Sequence, residues 1–184
     1  MASEPDNSFD YLRKEHDIIK MVVKILQGVS KKINNDDTVN VTDFDKIKLI
    51  LENMDKCHRV EEDQVLFRLK SKSKSFVEPI ESLMVEHDTT RQIFKNIEIE
   101  LDKLKSANKP SQLLAKYFQD YAKSLQEHIK KEENIFKLED TNLLKPEDHK
   151  NILEQFKRVE QHVLGDISKG QMVATVIELQ NRLC

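Results

Sequence analysis

Apolar residues recur along the chain at the three- and four-residue spacing of amphipathic helices, in five long segments and one shorter one. The first is predicted from about Phe9 to Ile33, with Leu12, His16, Ile19, Val23 and Leu26 on one stripe, and the polar run Asn34 to Asp37 ends it. Thr42 or Asp43 is a suitable N-cap for the second. Its stripe carries Ile47, Leu51, Met54, His58, Val65 and Leu69 to near Lys70. After a polar break at Ser71 to Ser75, a third helix is expected over about Glu78 to Lys105, with Pro79 in its first turn. Its stripe is Ile80, Leu83, His87, Phe94 and Leu101. Asn108-Lys109-Pro110 opens a fourth, whose stripe includes Leu114, Tyr117, Tyr121, Leu125, His128 and Ile135. Lys137 to Leu144 reads as a loop, and Pro146 starts a fifth helix reaching about Leu164. Gly165 and Gly170 bracket a break before a last short helix, Gln171 to Leu183, expected on the outside.

These elements predict an all-α fold: an up-down-up-down four-helix bundle over about residues 9–140, with additional C-terminal helices over about 146–183. One domain spanning 1–184 is the expected organisation, since 184 residues suffice for a continuous core. Composition agrees, with three glycines, four prolines and no tryptophan among abundant helix formers. Acidic and basic residues nearly balance at 33 and 30, so no global basic excess points to nucleic acid. No apolar run approaches the roughly 20 residues of a membrane span, and the acidic N-terminus lacks an apolar signal core. Cys57 and Cys184 make a poor disulfide framework, so a reduced, cytoplasmic protein is expected.

What changes the picture is a polar pattern on the apolar stripes. His16…His58-x3-Glu62 is followed by a near copy, His87…His128-x3-Glu132, with equivalent histidines 71 and 70 residues apart (16 to 87, 58 to 128). A His and a Glu four apart share a helix face and can hold one metal together. In an up-down bundle, residues equally distant from a connecting loop lie at one height. The midpoints 37, 72.5 and 107.5 between successive histidines all fall in predicted loops, so the four histidines are expected in one layer. A lone His on an apolar face is usually a core residue with satisfied nitrogens. Four histidines with two carboxylates are another matter, because unpaired buried carboxylates are very costly and a metal pair removes that cost. Imidazole plus carboxylate suits iron, manganese or zinc, and the absence of a thiolate cluster argues against iron–sulfur.

The order His…His-x3-Glu…His…His-x3-Glu in a four-helix bundle resembles the hemerythrin-like, or HHE cation-binding, family over about residues 9 to 140. The resemblance implies two irons, one held by His16 and His58 and the other by His87 and His128. Glu62 and Glu132 would bridge them, with an oxo or hydroxo group completing the link. Oxygen-carrying hemerythrins have a fifth His one turn after the third-helix His, where this chain has Arg91, and a His-x4-Asp motif where His128 is followed by Glu132 and Glu133. The chain fits instead a four-His, two-Glu subgroup that includes repair-of-iron-centres proteins and the iron-sensing domain of an F-box protein. That subgroup implies reaction with dioxygen, peroxide or nitric oxide, or sensing of iron and oxygen, rather than oxygen carriage. No residue stands out as a dedicated acid–base catalyst, and nothing identifies a protein partner. Two other readings are an iron-switched binding module and a purely structural bundle without metal.

Glu61, Asp63 and Glu133 neighbour the candidate ligands and are expected to be solvated or ion-paired, with coordination as the alternative. Glu15, Glu86 and Glu127 each precede a histidine. Adjacent helical residues diverge, which favours an exposed face for them over a role in orienting imidazoles. Tyr117 and Tyr121 read as packing residues and Cys57 as an inert core thiol. His149 and His162 are expected at surface or capping positions, and the basic run Arg68, Lys70, Lys72, Lys74 as a solvated helix end.

Overall fold

A computed structural model describes residues 7–107, 109–139, 143–164 and 169–184, and no strand occurs among them. Four long helices form the bundle. They are α1 (Ser8–Asn34), α2 (Val41–Asn53 and Arg59–Lys72, joined by a π turn Met54–His58), α3 (Val77–Ala107) and α4 (Gln112–Glu139). A single 3-10 turn, Lys74–Phe76, leads into α3. Two further helices, α5 (Pro146–Leu164) and α6 (Lys169–Leu183), pack against the bundle. No helix is long and apolar enough to cross a membrane among the described residues.

The caps differ in detail from the expected ones. Asn7 accepts from the Asp10 N–H to start α1. Asn40, rather than Thr42 or Asp43, caps α2, its side chain accepting from the Thr42 N–H at 3.1 Å. Asp43 is instead buried and receives Arg182 of α6. Ser111 caps α4, accepting from the Leu114 N–H while its own hydroxyl donates to Glu100. Asn108 and Gly165, assigned to breaks on sequence, lie outside the described residues.

Two separate apolar clusters fill the interior. The larger joins Ile19 to Ile33 of α1, Phe44 to Leu51 of α2, Phe94 to Leu104 of α3 and Leu114 to Ile129 of α4. The smaller joins Phe9 and Leu12, Val65 to Leu69, Ile80 and Leu83, and Ile135 and Phe136 at the other end of the same four helices. These pairings require successive helices to run antiparallel. Each C-terminal helix completes one cluster: Ile152 and Phe156 of α5 enter the smaller, and Val176, Leu179 and Leu183 of α6 the larger. The last helix is therefore part of the core rather than an outer addition. Gly28 explains how it fits, because a Cβ there would collide with the Leu183 carbonyl oxygen.

Candidate metal centre

Between the two apolar clusters lies a buried polar layer. His16 of α1, His58 and Glu62 of α2, His87 of α3, and His128 and Glu132 of α4 converge there, one turn beyond the last apolar side chain on each side. His58 sits at the end of the π turn, where the Arg59 N–H bonds back to the Met54 carbonyl five residues earlier. The one-residue insertion resets the phase of α2 at the start of its His-x3-Glu pair. His58 then places Nε2 2.6 Å from Glu62 Oε1, over a single helical turn.

Glu62 occupies the centre. Its Oε1 faces His16 Nε2 at 3.6 Å as well as His58, while its Oε2 faces His87 Nε2 at 3.2 Å and His128 Nε2 at 3.6 Å. Glu132 Oε2 lies 3.0 Å from His16 Nε2 and 3.9 Å from His128 Nε2. Ligand atoms of two overlapping triplets, His16–His58–Glu62 and Glu62–His87–His128, come close enough together to hold a cation each. All six residues singled out by the repeat are thus brought to one place.

Every imidazole turns its other nitrogen toward a carboxylate. His58 Nδ1 donates to Glu15 at 2.7 Å and His128 Nδ1 to Glu86 at 3.2 Å. His16 Nδ1 faces Glu133 at 3.6 Å and His87 Nδ1 faces Asp63 at 3.5 Å. A carboxylate in that position fixes the tautomer and ring orientation of a metal-binding imidazole. The arrangement obeys a pseudo-twofold exchange of α1–α2 with α3–α4: Glu15 serves the histidine of α2 as Glu86 serves that of α4. Sequence reasoning expected Glu15 and Glu86 on an exposed face, which holds for Glu127 alone. The residue before a histidine does diverge from it, but in a bundle that direction leads to the histidine of the next helix. The repeated Glu-His dipeptide was the available signal.

The electrostatics are those of a site held together by protons. Burial disfavours the imidazolium of His16, yet the bonds from Glu132 and Glu62 outweigh it and raise its pKa to about 9. His87 also rises to about 9, burial again being overcome by Asp63 and Glu62. Against burial, the surrounding histidines, His58 first, hold Glu62 well below the usual carboxylate range. Burial and the neighbouring Glu62 charge push Glu132 up to about 7. Even so, the layer is incompletely satisfied. Among the described residues, the buried side-chain atoms with no hydrogen-bond partner are His16 Nδ1, His58 Nε2, both Glu61 oxygens, Glu62 Oε1, Asp63 Oδ1, His87 Nδ1 and Glu132 Oε1. All belong to this layer or to residues adjoining it. Native interiors leave few such atoms, and a cluster of them marks a missing partner. The donor set, imidazole and carboxylate without thiolate, fits a pair of divalent transition-metal ions.

Other candidates fall outside the ligand set. Tyr121 is buried with no hydrogen bond to the layer, but its side chain lines a cavity of about 40 Å³ beside His58, Glu62, His87 and His128, together with Thr90, Arg91 and Leu125. Tyr117 packs half-buried on the larger cluster. His149 meets the Ser8 hydroxyl at 2.9 Å beside Phe9, and His162 is exposed. Cys57 is buried, and burial, with Glu61 nearby, pushes its thiol up to about 12. The basic run is paired rather than free to bind phosphate, with Lys70 on Glu81 and Arg68 and Lys72 on Asp148.

The model of one family, the hemerythrin HHE cation binding domain, matches residues 7–137. No curated protein and no solved structure gives a significant match.

Proposed function

Because the chain belongs to the hemerythrin HHE cation-binding family, we propose that its polar layer holds two iron ions and that the protein binds or reacts with a small oxidant: dioxygen, peroxide or nitric oxide. His16 and His58 would hold one ion and His87 and His128 the other, with Glu62 and Glu132 between them. The observation that carries this reading is that three buried inward-facing atoms of the candidate ligands, His58 Nε2, Glu62 Oε1 and Glu132 Oε1, have no hydrogen-bond partner. A redox-active metal pair bound there would supply electrons and a Lewis-acid contact to the oxidant.

The chain's own residues do the rest. Glu15 and Glu86 hold the Nδ1 side of His58 and His128 by hydrogen bonds, and Glu133 and Asp63 stand 3.6 and 3.5 Å from the Nδ1 of His16 and His87, so that each Nε2 faces inward. Above and below, the two apolar clusters exclude water from the layer. The cavity of about 40 Å³ on the His87–His128 side leaves space for a diatomic molecule or a water, and Arg91 occupies its edge. Arg91 is held there by Asp88 and Asp55, which accords with a site that reacts with an oxidant rather than carrying it reversibly. Free Cys57 and Cys184 accord with the cytoplasmic location that belongs to the same proposal.

Metal analysis and an optical spectrum test the assignment on protein reconstituted anaerobically with iron and then exposed to air. About two irons per chain with an oxo-bridged charge-transfer band are expected. Substantially less iron, or preferential retention of zinc or manganese, would sink the di-iron reading.

One observation favours a second reading, an iron or oxygen sensor. Lys169 of α6 binds Glu15, which binds His58, so the C-terminal helices are tied directly to the layer. In a sensor, metal loading would tighten α5 and α6 on the bundle. Helicity and thermal stability should then change greatly between metal-free and iron-loaded protein. A preformed catalyst should change little and turn over peroxide or nitric oxide.

A further inference from the structure

A second cavity, much larger than the one at the layer, lies between α1, the π turn of α2 and the C-terminal helices. Its volume is about 590 Å³, within the range of about 300–1,000 Å³ typical of small-molecule sites. Apolar side chains make most of its wall, and several of them, Ile18, Met54, Met172 and Val173, are only half-buried although they adjoin the core. The π turn contributes Met54, Cys57 and His58 to one side, so the bulge that positions a candidate metal ligand also opens this space.

The polar end of the cavity is closed upon itself. Lys169 contacts Glu15 and lies 2.7 Å from Glu160, and the Tyr11 hydroxyl donates to Glu160. Lys14 also lines the cavity, so its wall carries two ammonium groups and two carboxylates, Glu15 and Glu160. A charged occupant would meet a wall with no net opposite charge, and at the Lys169 end would have to break an ion pair already made. A peptide helix is about 10 Å across with its side chains and does not fit between helices already joined by Lys169. We infer that this cavity is a binding site for a neutral lipophilic small molecule, seated between α1, the α2 π turn and α6 with one end against the Tyr11–Glu15–Glu160–Lys169 cluster. Its occupant would bury the half-exposed Ile18, Met54, Met172 and Val173. It would also touch His58, whose Nδ1 side is held by Glu15.

A matched pair of fluorescent probes tests this on the full chain. N-phenyl-1-naphthylamine is neutral, and 1-anilinonaphthalene-8-sulfonate is the same skeleton with a sulfonate. The neutral probe is expected to bind saturably at one site per chain, with a blue-shifted emission and at least about tenfold more tightly than the anion. Val173→Trp, from α6, should fill the space and abolish binding while leaving helicity unchanged. The chain has no tryptophan of its own, so emission from the introduced indole reports whether it is buried. Ile18→Trp fills the same space from α1 and serves if the first variant misfolds. Equal or tighter binding of the anion, no saturable binding of the neutral probe, or undiminished binding in a folded occluding variant would each overturn the proposal. Because no readout depends on metal content, failure here is separable from failure of the iron assignment.

Discussion

The α1–α2 half of the polar layer and the α3–α4 half carry matching histidines and inward carboxylates, yet their outer surroundings differ. In the α3–α4 half, Glu86 holds His128 and is neutralised by Lys131 of the adjacent helix, at the surface. The residue equivalent to Lys131 in the other half is Glu61, buried and with both oxygens lacking a partner. Burial, with the Glu15 charge beside it, raises Glu61 to about 9. Glu15 finds its cation elsewhere, in Lys169 of α6. One half is therefore self-sufficient, and the other depends on a helix outside the four-helix bundle. The two halves differ by one charge reversal, and the C-terminal helices supply to Glu15 the cation that Lys131 supplies to Glu86.

The largest effect should come from the residue both halves share. Glu62→Ala is expected to remove both metal ions and to destabilise the metal-free protein by about 3–5 kcal/mol, because buried imidazolium groups lose their central partner. Metal content and a denaturation curve measure the two effects. Retention of one ion per chain would show that the halves load independently. The equivalence would then be closer than the single central carboxylate suggests.

A pH series is next in size. In the metal-free chain His16 and His87, one in each half, have pKa values raised from 6.5 to about 9. The stability they contribute is fully present below 6.5 and is lost as pH rises through about 9. A rise of this size corresponds to roughly 3 kcal/mol per group, with less for the pair because both face Glu62. Denaturant midpoints of metal-free protein should thus fall between pH 6.5 and 9. Metal replaces those protons, so metal affinity should climb over the same range, with proton release on binding. A flat stability profile would mean that the histidines are neutral in the metal-free fold.

Glu15→Gln and Glu86→Gln remove the outer carboxylate from one half and then the other. Each should weaken metal binding by about 10–100-fold, as loss of a carboxylate behind a ligand imidazole does. The α1–α2 change should be the larger, its bond to His58 being 2.7 Å against 3.2 Å for Glu86 and His128. Competition with a chelator of known affinity measures both. Smallest of all, Lys131→Ala should leave the thermal melt nearly unchanged, since the pair it breaks is exposed. Lys169→Ala at the matching place should exceed that clearly in a thermal melt, and equal effects would remove the asymmetry.

Most of the helices and the polar layer were legible in the sequence, because both are periodic properties. The 3.6-residue stripes gave the helices to within a few residues, and symmetry about the loops gave the height of His16, His58, His87 and His128. What escaped was whatever depends on a neighbour brought by the fold. Asp43 has the chemistry of an N-cap, but Arg182 draws it inward, and Asn40 caps instead. Glu15 precedes His16 yet serves His58 on the next helix. The π turn at Met54–His58 has no local sequence signature, since one inserted residue leaves the apolar spacing nearly unchanged. The burial of α6 hinges on Gly28, whose missing side chain matters only once another helix lies over it.

That glycine works as an axial stop. α6 runs alongside α1 in the same direction, with Lys169 level with Glu15 and Leu183 level with Gly28. The Leu183 carbonyl oxygen fits only over a position without a Cβ, and a shift of α6 by one turn would bring it against a side chain. Fourteen residues of helix, about 21 Å, separate Leu183 from Lys169. The height at which an ammonium group meets the polar layer is thus gauged from a contact at the far end of the rod. A mutation at Gly28 would be read out at His58 as a displaced charge, with no residue near the layer altered.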